Sequence, residues 1–235
     1  MNGNQTELVL EWFTELEQRL HRFLRTVNYN DQNRDSVFPI LANIIVDAGS
    51  ILDTVFREEY SADTPQKSAL TIKQFLPHYE SRLSLSKGRV LIYQFPPQYL
   101  EPFAAWSTNC QHNLTWWNAH NELKHNRISE YRRATLHTAV ITLSALFQVI
   151  ASLNSFFEAL LRWDMVDTNN LGVSGPQRLL IEWVDDGKCL ETILIESLLF
   201  AYPRGHQRFP PQIDEMKPAH FGRRRLVKFM GREYA

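Results

Sequence analysis

The chain has little cysteine, almost no net charge and no uninterrupted apolar run of membrane length, and each shortage removes a class of protein. Cys110 and Cys189 are its two cysteines, too few and too far apart for a disulfide framework or a zinc knuckle. Reduced thiols and a cytoplasmic location are therefore expected. The start, MNGNQTELVLEWF, has no basic region leading into an apolar stretch, so no signal peptide is expected. The most apolar stretch, Val140 to Leu153, is interrupted by Thr142, Ser144, Gln148 and Ser152 and falls short of the roughly 20 residues a bilayer requires. It reads as a buried helix, with no membrane partner. A formal net charge of −1 gives no support to a uniformly basic nucleic-acid binder. There is no Walker loop, no Gly-x-Gly-x-x-Gly, no His-Glu-x-x-His and no Gly-x-Ser-x-Gly elbow, which removes the sequence case for a phosphate loop, a dinucleotide, a zinc protease or a nucleophile elbow. His120 with Glu122 or His125 matches no standard ligand set, so neither metal nor cofactor is expected.

What is present is the composition of a folded chain. Over 235 residues, 44% are hydrophobic and 22% charged, enough to build one core without staples. From Glu7 to about Val27, Leu8, Trp12, Leu16, Leu20, Phe23 and Val27 fall three and four apart, the spacing of one helix face, with Glu11, Glu15 and Glu17 on the other. The polar stretch Asn28 to Ser36 reads as a turn, with Asp35 or Ser36 placed to cap a second helix from Val37 to Glu59. Two such helices predict a helical hairpin. Prolines 65, 77, 96, 97 and 102 break up the stretch from Ser61 to Pro102, leaving a short helix at Thr71 to Tyr79 and an extended segment at Arg89 to Phe95. A third helix is predicted from Trp106 to Lys124. A fourth, from Ser129 to Trp163, is apolar on most sides and belongs at the centre of the bundle.

Beyond Trp163 the pattern changes. Arg178 to Val184 and Cys189 to Ile195, on either side of an Asp-Gly pair, read as a β-hairpin. The last 35 residues, rich in proline, read as an irregular tail. The expected organisation is thus a mainly α antiparallel bundle over 1–163, with a small C-terminal β-hairpin and basic tail over 164–235. The near-zero charge hides an asymmetry. Up to residue 200 there are 17 Lys plus Arg against 23 acids, a balance of −6, and from 201 onward eight against three, a balance of +5. Arg223, Arg224, Arg225 and Lys228, interleaved with Phe221 and Phe229, suit RNA, or an arm folded over the chain's own acidic helices.

The segment from Trp106 to His137 carries the chemistry. It holds three of the six tryptophans and four of the eight histidines. Asn121 and His125 stand one turn apart and could fix an imidazole tautomer, and Lys124 and Arg127 add two cations beside them. On an unbroken helix His125 and Arg127 diverge by about 200 degrees, so convergence requires the helix to end near Asn126 in a left-handed residue, or a second chain. A histidine that moves a proton and cations that hold a phosphate are the parts of a metal-independent ribonuclease. The same residues could equally form a polar and aromatic knot between helices.

The pattern Trp116-Trp117-x-x-x-Asn121-x-x-Lys124-His125-x-Arg127, set before the last long helix, resembles the HEPN superfamily over roughly residues 7 to 162. The resemblance implies an all-α bundle, frequent homodimerisation, and often RNA cleavage in toxin-antitoxin or anti-phage systems, with an antitoxin or other defence protein as partner. The superfamily's signature, an Arg followed after four to six residues by a His, has its literal match at Arg132 and His137, whereas Lys124-His125-x-Arg127 has a different order. The expected roles are His125 as acid/base, Arg127 and Lys124 on the phosphate and Asn121 as orienter, with Arg132 and His137 as second choice. The alternative is a non-catalytic interaction or RNA-binding module.

Overall fold

The structure is a computed structural model that describes residues 1–63, 71–94, 98–106, 114–166, 181–185 and 188–205. These form a mainly helical protein with a small antiparallel sheet. Helix α1 (Gly3–Leu24) opens with a capping box in which the Asn2 side chain accepts from the Gln5 N–H and the Gln5 side chain from the Asn2 N–H, so two otherwise orphaned donors are satisfied at once. Its buried face carries Leu16 and Leu20, as the spacing requires, with Leu10 and Phe13 and also Glu17, only 2% exposed, while Leu8 and Trp12 are each 42% exposed. The expected apolar stripe is therefore rotated. Helix α2 (Pro39–Asp63) starts on a proline, whose missing N–H costs nothing in the first helical position. Its length and hydropathy would suffice for a bilayer, but it packs against α1, α4 and α5.

Helix α3 (Ile72–Leu83) is anchored by the Tyr79 hydroxyl, which donates to the Phe56 carbonyl at 2.6 Å. After β1 (Val90–Ile92) and β2 (Gln98–Leu100), helix α4 (Thr115–Asn126) begins nine residues later than the spacing suggests; Ala104–Trp106 is a single 3-10 turn and 107–113 lie outside the described residues. The long fourth helix is divided. Tyr131–Arg133 is a 3-10 turn, α5 runs from Leu136 to Ser152, and α6 (Phe157–Arg162) follows at a bend of 82°. Leu153 is extended there (φ −80°, ψ 133°), and the break is held from elsewhere: the Arg204 guanidinium bonds the Asn154 side chain, reaches the Leu153 carbonyl at 3.5 Å and lies 5.3 Å from the Phe157 ring centre. Helix α5 is buried on nearly all sides and packs against α1, α2, α4 and the sheet.

Strands β3 (Ile181–Asp185), β4 (Lys188–Glu196) and β5 (Phe200–Gly205) join β1 and β2 in the order β2-β1-β5-β4-β3, every neighbour antiparallel. Residues 201–205, expected in the irregular tail, are thus the middle strand. Asp186 and Gly187, the expected turn, and 206–235, which include Arg223, Arg224, Arg225 and Lys228, lie outside the described residues. The sheet meets the helices through Phe147 of α5, which stacks on Phe13 of α1 at 5.6 Å and on Phe200 of β5 at 5.8 Å. A second tie is polar: buried Glu17 accepts from Ser197 Oγ (2.5 Å), Leu198 N (3.2 Å) and Leu199 N (2.8 Å). A carboxylate with three donors is a tolerable burial, and it draws α1 round so that Glu17 rather than Trp12 faces inward.

Candidate functional site

Two stretches of chain meet at the start of α5. The loop between α1 and α2 lies along the approach to α5 in a short antiparallel ladder: Leu136 N donates to the Ser36 carbonyl (2.9 Å), His137 N to the Arg34 carbonyl (2.8 Å), and Val37 bridges Thr135. Thr135 caps the helix by accepting from Thr138 N at 3.1 Å. All the early N–H groups of α5 are thereby occupied, so the helix end itself holds no ligand. The ladder instead delivers side chains. His137 Nδ1 lies 2.6 Å from the Tyr29 hydroxyl, with the two rings stacked, and His137 Nε2 lies 3.2 Å from Arg34 Nη2.

The chemistry of the partners assigns the proton. A guanidinium only donates, so Nε2 accepts from Arg34, and Nδ1–H donates to the Tyr29 oxygen. The imidazole is therefore neutral, with its lone pair on Nε2. Burial and then the Arg34 charge hold its pKa below the ordinary histidine value, against a smaller opposing effect of Asp35. Burial pushes the Tyr29 hydroxyl up to about 12, so it stays protonated and polarises nothing by itself. Arg34 is partly exposed and its nearest carboxylate, Asp31 at 3.6 Å, is open to water, so its charge is weakly compensated. The result is a half-buried neutral imidazole with a cation against its basic nitrogen.

The other expected site residues fall elsewhere. His125, Lys124 and Arg127 are all exposed. Arg127 has helical angles (φ −53°, ψ −39°), so no left-handed residue ends α4. The chain keeps turning, and Arg127 leaves on the side of α2, donating to Asn43 Oδ1 at 2.7 Å. No hydrogen bond joins half-buried Asn121 to His125. Helix α4 thus ends at Asn126, where the expectation placed its end, but without the left-handed residue, and Arg127 is engaged by Asn43. Arg132 is exposed, and the cation that bonds His137 is Arg34 and not Arg132. Sequence reasoning misses Tyr29 and Arg34, because nothing local distinguishes them within a polar loop.

The two tryptophans of the motif belong to the core. Trp116 N–H donates to the Pro102 carbonyl at 2.7 Å, Trp116 stands edge-on to Trp117 and Phe103, and Trp117 lies against His120. His120 is 1% exposed and its Nδ1 has no partner. It packs directly on α2 at Gly49, where an added Cβ would lie 2.3 Å from Nδ1 and 2.4 Å from Cγ. Gly49 is glycine because that helix crossing leaves no room for a methyl group. Gly49→Ala is expected to lower stability by about 1–3 kcal/mol through overpacking, read from the urea midpoint; a loss below a few tenths would mean that the crossing yields freely. Among the described residues no group of three His, Cys, Asp or Glu side chains could hold a metal. Comparison of the chain with protein-family models, with curated proteins and with solved structures gives no match.

Proposed function

We propose that the protein is a metal-independent endoribonuclease whose acid/base is His137 and whose phosphate-binding cation is Arg34. The observation that carries this reading is the convergence of Tyr29, His137 and Arg34 from the α1–α2 loop and the start of α5. In the reaction, an RNA phosphate takes over the Arg34 guanidinium and frees Nε2. Nε2 then removes the 2′-hydroxyl proton while the O2′–P bond forms and the P–O5′ bond breaks. The products are a 2′,3′-cyclic phosphate and a 5′-hydroxyl; the departing O5′ takes a proton from water, and the imidazolium returns its proton to solvent. Tyr29 holds the ring and its tautomer. The helical part is read with this as HEPN-like, and a homodimer in a toxin or anti-phage setting, with an antitoxin as partner, belongs to the same proposal.

His137→Ala is expected to reduce cleavage of a fluorogenic single-stranded RNA by about 10²-fold or more, and Arg34→Gln by a similar factor in kcat. Because the base form is required and its pKa is depressed, the rate should climb as pH rises below the usual histidine range and be flat by neutral pH. Cleavage by His137→Ala at the wild-type rate sinks the proposal. A second reading has its own support: both ring nitrogens of His137 are engaged within the chain, which suits a purely structural pin. In that case His137→Ala lowers the melting temperature and no cleavage is found in either protein.

A further inference from the structure

The corner between α4 and α5 is occupied by the cations that the candidate site does not use. Of its four, Arg133 is neutralised by Glu122 and Glu130. Lys124, Arg127 and Arg132 are exposed, and among the described residues no carboxylate pairs with them. One of these is nevertheless held in place by a neutral acceptor: Arg127 donates to the Asn43 amide oxygen at 2.7 Å. A neutral anchor orients a guanidinium without cancelling its charge, and leaves its other N–H groups for a phosphate. Tyr131, 53% exposed, lies between Arg127 and Arg132 in sequence as an open ring.

We infer that this corner is a docking surface for single-stranded RNA, with Lys124, Arg127 and Arg132 on successive phosphates and a base stacked on Tyr131. The inference rests on the reading of the protein as acting on RNA. Exposed cations without a carboxylate partner, one of them oriented, beside an accessible aromatic ring are what an unpaired strand needs, since it offers both a charged backbone and free base faces. A duplex would hide its bases from Tyr131. A lipid surface would call for a broad apolar helix face, whereas the corner offers one fully projecting aliphatic side chain, Ile128, 91% exposed. The placement also suits the candidate site, because Arg132 and Tyr131 lead directly through Thr135 into the turn that holds His137.

The test uses the full chain and a 2′-O-methyl oligouridine of roughly ten nucleotides, which binds but cannot be cleaved, read by fluorescence anisotropy. The Lys124→Gln/Arg127→Gln/Arg132→Gln variant should bind at least about tenfold more weakly at moderate salt, and the slope of log affinity against log salt should flatten by about 2, from roughly 0.7 per lost phosphate contact. Tyr131→Ala should weaken binding by about fivefold or more with the slope unchanged. Unchanged affinity in both corner variants overturns the inference, and so does equal binding of polyglutamate, which would reduce the corner to plain charge attraction. Tighter binding to phosphatidylserine vesicles than to the oligonucleotide, abolished by Ile128→Ser, also overturns it in favour of a membrane. The two proposals fail separately: normal corner binding without cleavage by any variant removes the nuclease, and cleavage that survives in the corner variants without loss of affinity removes the corner.

Discussion

Glu17→Ala is expected to destabilise the protein by about 3–5 kcal/mol. The carboxylate is enclosed, and its three donors, the Ser197 hydroxyl and the Leu198 and Leu199 N–H groups, are in the turn between β4 and β5. Truncation leaves the Leu198 and Leu199 N–H groups without an acceptor and the Ser197 hydroxyl with only the Phe200 carbonyl, at 3.4 Å, and each lost bond costs roughly 1–3 kcal/mol. Glu17→Gln, which keeps one acceptor oxygen, should recover part of the difference. Urea unfolding followed by tryptophan fluorescence measures it. A cost under about 1 kcal/mol for Glu17→Ala would show that the turn is held mainly by the stack of Phe13, Phe147 and Phe200.

The second large effect is one of pH. Burial depresses the His120 pKa to about 4, with Lys124 adding to the shift and hydrogen bonds to the Ile45 and Val46 backbone opposing it. In the unfolded chain the same ring titrates near 6.5. Between these values the unfolded state holds the extra proton, so stability rises with pH across this window. The full contribution is present above about pH 6.5, is lost progressively as pH falls, and is gone below about 4. A shift of this size corresponds to about 3 kcal/mol. His120→Asn should therefore lose less stability than wild type on going from pH 7 to pH 4.5, by about 2–3 kcal/mol, whatever its stability at pH 7. Parallel pH dependences in the two proteins would mean that His120 is not the group responsible. His21 and His137, whose pKa values are also depressed, titrate alike in both and cancel from the comparison.

The sequence is readable where the cause of structure is local. The three- and four-residue spacing locates α1, α2 and the core of α5 because helical periodicity is set within a turn or two. It fails where the cause is distant. Glu17 looks solvent-facing because its partners are 180 to 182 residues away, and Leu153 looks as helical as its neighbours until Arg204 is brought to the bend. The same limit applies to the candidate site. His137 is legible only as second choice, through its spacing from Arg132, and Arg34 and Tyr29 are 103 and 108 residues from it and carry no mark in a polar loop. The end of α4 near Asn126 is legible in the sequence, but the helical angles at Arg127 and its bond to Asn43, 84 residues away, are not.

The position of β5 also sets an order of events during synthesis. The strand in the middle of the sheet is the last of the five to be made, and its neighbours, β1 and β4, precede it on the ribosome. Until residue 205 has emerged, β1 and β4 each expose an unpaired edge, and the buried face of α5 waits for Phe200. Contacts this distant in sequence are slow to form, and open edges invite other chains. The nascent protein thus passes through a window in which its helices can pack but its sheet cannot close, and a chaperone would find its clearest target there.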